Sequence, residues 1–134
     1  MAKGDSAASH HYWREQDANV LQDIINSKGP SVLIPNGDTI ASTKKGILPL
    51  SDNLSKVAST AMILPGLEGA SLISIGQLCD DDCKVFLDKK TLLAVKDQKI
   101  IIQGTRNILD GLWDIPVYKQ SITNNNYIKK INAS

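Results

Sequence analysis

The sequence lacks most of the features that mark a specialised class of protein. Its 15 Lys and Arg against 14 Asp and Glu leave a net charge of +1, so no basic face stands ready for phosphate backbone or anionic lipid. Two Trp, three Tyr and one Phe are few rings for stacking on bases. Both absences argue against a dedicated nucleic-acid module. No apolar run approaches the length of a membrane-spanning helix, and no apolar leader is visible, so the expected setting is intracellular and cytoplasmic. Cys79 and Cys83 are the only cysteines and flank Asp80, Asp81 and Asp82. In a reducing compartment they read as one buried and one partly exposed free thiol beside a short helix. They supply no recognised metal set, and the three aspartates lack the alternating spacing and closing Glu of a calcium loop; no metal or cofactor is expected. There is no internal repeat and no low-complexity block.

What is present suits one domain. At 134 residues, with 42% apolar and 22% charged side chains, the chain can bury a core. Residues 17–26 place Val20, Leu21, Ile24 and Ile25 at helical spacing with Asp17 as N-cap, and Gly29-Pro30 ends that helix. Residues 31–40 are two short apolar runs about Pro35-Asn36-Gly37-Asp38, which predicts a hairpin. Strand-like runs follow at 46–50, 56–64 and 71–75, with a short helix over 76–82. A meander is expected at 84–87, 91–95, 99–104 and 112–117, turning at 88–90 and 96–98. The fold class expected is mostly all-β, a small barrel or sandwich with one or two helices. Residues 1–117 form the domain; 118–134, polar and rich in Asn, read as a tail or linker. Trp13 and Trp113 are expected as core or edge anchors. Lys44-Lys45 and Lys89-Lys90 are expected as solvated turn or edge charges that discourage strand aggregation. The pair His10-His11 predicts a polar loop.

The chemistry concentrates near the start. Asp5-Ser6-Ala7-Ala8-Ser9-His10 sets a lone carboxylate before small residues, which let backbone segments approach closely and line a carboxylate with N–H donors. Five segments in order resemble the protease-region domain of Copia-type retrotransposon Gag-Pol polyproteins, relatives of the retropepsin aspartic proteases. The first is that Asp5–His10 run, similar to the family's Asp-Ser-Gly-Ala-Ser/Thr-Ser-His. Ile34-Pro-Asn-Gly-Asp-Thr39 stands at its Ala-Asp-Gly-Ser/Thr segment, and Met62-Ile-Leu-Pro-Gly-Leu67 resembles Tyr-Val-Pro-Gly-Leu. Ala70–Cys83 resembles its Asn-Leu-Leu-Ser-Val-Gln-Leu-Cys-Asp-Asp-Gly-Cys stretch; Gly104–Asn107 with Gly111-Leu-Trp113 resembles its closing Gly-x-Arg-x…Gly-Leu-Tyr/Trp. Together they cover residues 4–117, nearly the whole chain.

The resemblance implies a closed retropepsin-like barrel with Asp5 as catalytic carboxylate. It makes Ser6, with Ala7 and Ala8, the active-site loop, Ser6 bracing it across a dimer. It makes Ile34, Pro35, Asn36, Gly37 and Asp38 the flap over bound peptide. It makes Leu72, Ile73 and Ser74 the floor beneath the catalytic loop. The signature also accounts for His10. Ala7 replaces the family's glycine, and Lys3-Gly4 predicts no strand leading into Asp5.

Carboxylate hydrolysis of a peptide needs a pair, one ionised to take a proton from water and one protonated to polarise the carbonyl. The sequence holds no second element of this kind: Asp110-Gly111 and Asp38-Thr39 lack the flanking apolar strand and following small residue. The expected enzyme is therefore a homodimer, each copy giving Asp5, with an extended polypeptide substrate held by main-chain hydrogen bonds. The alternative expectation is a catalytically inactive barrel of the same ancestry, serving as a structural or assembly module.

Overall fold

Short extended runs, broken every few residues by Asp, Asn, Gly or Pro, fix the partition of this chain. The computed structural model describes residues 1–34 and 37–119. Strands β1 (Ala2–Asp5) and β2 (His11–Arg14) lead into a short 3-10 helix at Glu15–Val20. Strands β3 (Gln22–Asn26), β4 (Ser31–Leu33), β5 (Thr39–Ala41) and β6 (Lys44–Ile47) follow. One helical turn, α1 (Lys56–Ser59), runs into β7 (Thr60–Leu64), and β8 (Leu72–Ser74) runs into α2 (Ile75–Cys79). The chain then continues through β9 (Lys84–Leu87), β10 (Thr91–Lys96), β11 (Lys99–Arg106) and β12 (Trp113–Ile115). The fold is mostly β. Among the described residues no helix is long and apolar enough to cross a membrane.

Ten strands share one sheet in the order β3-β6-β7-β2-β8-β1-β12-β11-β10-β9, while β4 and β5 pair apart as a hairpin. The centre of that order positions the site. Although β1 and β2 are joined by a five-residue loop, residues 6–10, they are not neighbours. Strand β8 lies between them, parallel to β1 and antiparallel to β2. Trp13, Leu48, Ile63, Ile73, Leu78, Leu92 and Ile115 are buried around this junction. Burying side chains of that size contributes about 1.5–3 kcal/mol each.

The meander keeps its expected turns for local reasons. Asp97 and Gln98 both adopt left-handed backbone, φ 51° and 64°, the two-residue geometry that matches strand twist. The Asp88 carboxylate accepts the N–H groups of Lys90 and Thr91 at 2.7 and 2.6 Å, bending the chain between β9 and β10.

Three expectations are corrected. Residues 17–26 are not a helix: the 3-10 turn ends at Val20 and β3 begins at Gln22. The β3–β6 register slips between Gln22 and Ile25, with Asp23 left-handed at φ 52°, and this bulge mimics helical apolar spacing. Nor does Asp17 cap a helix; it holds Arg14 through two hydrogen bonds, 2.8 and 3.1 Å, and accepts from Ser71 Oγ at 2.6 Å. The run 56–64 is not all strand, because the Ser55 hydroxyl caps α1 by accepting the Ala58 N–H at 3.1 Å. Finally, Lys3-Gly4 does form a strand into Asp5. Lys3 Nζ pairs with Asp110 at 2.8 Å and also with Asp114, and these contacts raise its pKa. Gly4 lies where a Cβ would come within 2.9 Å of a Leu92 methyl.

Gly104 is tighter, since its missing Cβ would stand 2.8 Å from the backbone oxygen of Asp114. Gly104→Ala should cost about 1–3 kcal/mol, because β11 and β12 must separate, whereas Gly4→Ala meets a side chain that can rotate. Urea unfolding reads this as a lower midpoint at unchanged slope; equal midpoints for the two variants would contradict it.

Candidate active-site loop

Asp5 ends β1 opposite Ser74 of β8, with Lys3 opposite Leu72 and Gly4 opposite Ile73. The strand that leads into the loop thus lies beside Leu72, Ile73 and Ser74. The Asp5 side chain is half-buried, and its Oδ1 accepts the Ala7 N–H at 2.8 Å. Ser6 and Ala7 are exposed and Ala8 is half-buried. Ala7 is not among the residues with positive φ, so it carries no left-handed strain.

Ser74 ties the floor to the loop. Its Oγ donates to Ala8 O at 2.6 Å and accepts the Gln77 N–H at 3.0 Å, capping α2. Gln77 then reaches back: its Oε1 accepts the His11 N–H at 2.7 Å, and its Nε2 donates to Val57 O and Thr60 O at 2.8 and 2.9 Å. The loop is pinned at both ends.

His11 corrects the expectation of a polar loop. It is 0% exposed, with Nδ1 2.9 Å from Ser74 N and Nε2 2.7 Å from Ala58 O. Burial drives its pKa down to about 4, against the opposing effect of the Ala58 carbonyl. His10 stays half-buried beside Ser9 and Tyr12, its Nδ1 3.1 Å from Ser9 Oγ. Sequence reasoning missed both His11 and Gln77. The usable signal was His11-Tyr12-Trp13, a strand-forming triplet that places a histidine inside the sheet.

The hairpin expected at 31–40 is present. Val32 pairs with Ile40, and the turn closes through Ile34 N–H to Asp38 O at 2.9 Å and Gly37 N–H to Ile34 O at 3.0 Å. Pro35 and Asn36 of the expected flap lie outside the described residues, as do residues 120–134 of the expected tail. A groove of about 840 Å³ runs between this hairpin and the Gly66–Gly69 loop, lined by Ile34, Asp38, Ile40, Leu67 and Glu68. Its lining does not extend to Asp5. A second cavity of about 410 Å³ adjoins the loop at Ser9 and His10 and is walled by Lys45, Met62, Gln77 and Asp80.

Away from the loop, Asp81 accepts from Lys96 Nζ at 2.7 Å and from the Ser55 N–H at 2.9 Å, which takes its pKa down to about 2. That pair ties the end of α2 to β10 and explains the aspartate run structurally. Cys79 is an exposed free thiol and Cys83 a buried one. Among the described residues no three His, Cys, Asp or Glu side chains converge as a metal site would require. Comparisons with protein-family models, with curated proteins and with solved structures each return no match.

Proposed function

We propose that this chain is the aspartic endopeptidase domain of a Copia-type retrotransposon Gag-Pol polyprotein, a retropepsin-like barrel that cleaves peptide bonds as a homodimer. The observation that carries this is the placement of Asp5: a partly exposed carboxylate at the end of a central strand, on a loop fixed by Ser74 and Gln77. A carboxylate held this way spends no ordering free energy during reaction. The five motifs in family order add independent support.

Each chain has one such loop, so the active pair is built from two copies around a two-fold axis. The two Asp5 groups share one proton because like charges in contact cannot both ionise easily. The ionised carboxylate draws a proton from water, whose oxygen attacks the scissile carbonyl. The protonated one donates a hydrogen bond to the carbonyl oxygen, then supplies the proton that lets the amine leave. Ser6 braces the paired loops, and the β4–β5 hairpin folds over an extended substrate whose main chain it bonds.

Sedimentation and peptide cleavage measured on the same dilution series test this. At mildly acidic pH the rate per chain should rise with concentration as dimer forms and then level off, and a transition-state mimic of the cleaved peptide should block it. A monomer at every concentration, cleaving nothing and binding no such mimic, would leave the inactive structural module.

A further inference from the structure

His11 has both ring nitrogens engaged, and one partner settles its proton. Ser74 N–H is a backbone donor that cannot reverse, so Nδ1, 2.9 Å away, must accept. The ring is then neutral with its hydrogen on Nε2, which donates to Ala58 O at 2.7 Å. A buried side chain thereby joins α1 to the end of β8.

That end of β8 is where the catalytic loop is anchored. Ser74 faces Asp5 across the strand pair and donates through Oγ to Ala8 O at 2.6 Å. His11 itself is where the loop ends and β2 begins, and its own N–H is held by Gln77. One imidazole therefore restrains the strand that carries Asp5's neighbour and the exit of the loop that carries Asp5.

We propose that neutral His11 is the positioning residue of the Asp5 loop, and that protonating it frees Ser74 and loosens the loop, setting an acid limit on the site. A second proton has only Nδ1 to occupy, and there it would point at the Ser74 N–H. Two donors would face each other in a buried space, the arrangement that costs most. The ring's two hydrogen-bond partners, the Ala58 carbonyl of α1 and the Ser74 N–H of β8, are backbone groups that do not titrate. Burial chiefly opposes the ring's protonation and the neighbouring His10 adds to that opposition, which keeps the ring neutral near pH 7. The inference rests on the proposed protease only where cleavage is the readout.

The test uses the full chain carrying Asp5→Asn, which removes the catalytic pair's own titration. Nitrogen NMR should show His11 as the Nε2–H tautomer near neutral pH. Exchange of the Ser74 amide should quicken at least tenfold in step with the ring's protonation. Adding His11→Asn keeps an acceptor near the place of Nδ1 but cannot titrate, so Ser74 should stay protected through that range. His11→Leu should expose Ser74 at every pH. In the otherwise native chain the leucine variant should lower kcat by about tenfold to a hundredfold with KM within twofold, and asparagine should restore most of it. Equal Ser74 protection in the leucine and parent chains would overturn the proposal. So would an acid loss unchanged by asparagine, which decides the matter even if the leucine variant does not fold. Should the native chain cleave no peptide at all, the protease assignment fails while the amide comparison still judges His11.

Discussion

Asp5→Asn should abolish peptide cleavage, a fall of at least about a thousandfold, while leaving the chain folded and dimeric. Asparagine matches aspartate in shape, and its side-chain oxygen can still accept the Ala7 N–H now held at 2.8 Å. What it cannot do is take a proton from water. The dimer would carry two neutral amides where the reaction needs one charge and one transferable proton. Mixing gives a sharper result than the single variant. If the active site is shared and subunits exchange freely, adding an equal amount of Asp5→Asn chain to a fixed amount of native chain leaves about half as many all-native dimers. The rate should fall to about half, although no native chain has been removed. An undiminished rate would mean that each chain completes its own site; full activity in the variant would take Asp5 out of the mechanism.

The expected β content, the 31–40 hairpin and the meander were legible because each depends on local turn chemistry. Asp88, Asp97 and Gln98 bend the chain by themselves. Strand β1 was not legible. Lys3-Gly4 has no apolar alternation, and the strand exists because β8 and β12 present partners on both sides. Only the assembled sheet makes room for Gly4 beside Leu92 and gives Lys3 its two aspartates. The 17–26 segment failed differently: a bulge at Asp23 gave a strand the apolar spacing of a helix. At the site, motif order pointed to both Asp5 and Ser74, which stand opposite each other in the sheet. His11 and Gln77 could not be found this way, since their bonds to Ser74 and His11 span 63 and 66 residues of sequence. The strand-forming run His11-Tyr12-Trp13 sets His11 apart from His10 only as a residue of the sheet, and says nothing of its partners. The rest of their difference is created by packing.

One side chain should dominate the acid stability of the chain, costing it roughly 3 kcal/mol between pH 6.5 and about 4. The sign follows from where His11 takes its proton. The unfolded chain binds it as pH falls through 6.5, whereas the folded chain refuses it until about 4. Stability is therefore level above that window, declines by about 1.4 kcal/mol per pH unit within it, and stops declining on this account below it. Against a total of about 5–15 kcal/mol for a domain of this kind, such a loss is large. The carboxylates cannot imitate it. Asp17, Asp81, Asp110 and Asp114 have pKa values lowered from 3.8 by Arg14, Lys96 and Lys3, so their contributions persist down to that pH and fade only below it. Urea midpoints measured from pH 7 to 4.5 should slope downward for the native chain and stay flat for His11→Asn. Parallel curves for the two chains would mean that the buried imidazole accepts its proton in place, with Ser74 yielding at little cost. Dimerisation complicates the measurement in a useful direction. A second copy stabilises the folded form by mass action, which raises the midpoint at every pH while leaving the slope, set by the proton each chain takes up on unfolding, unchanged. A protease that works at mildly acidic pH would then operate inside the window where its monomer is weakening, kept folded there by the same association that completes its active site.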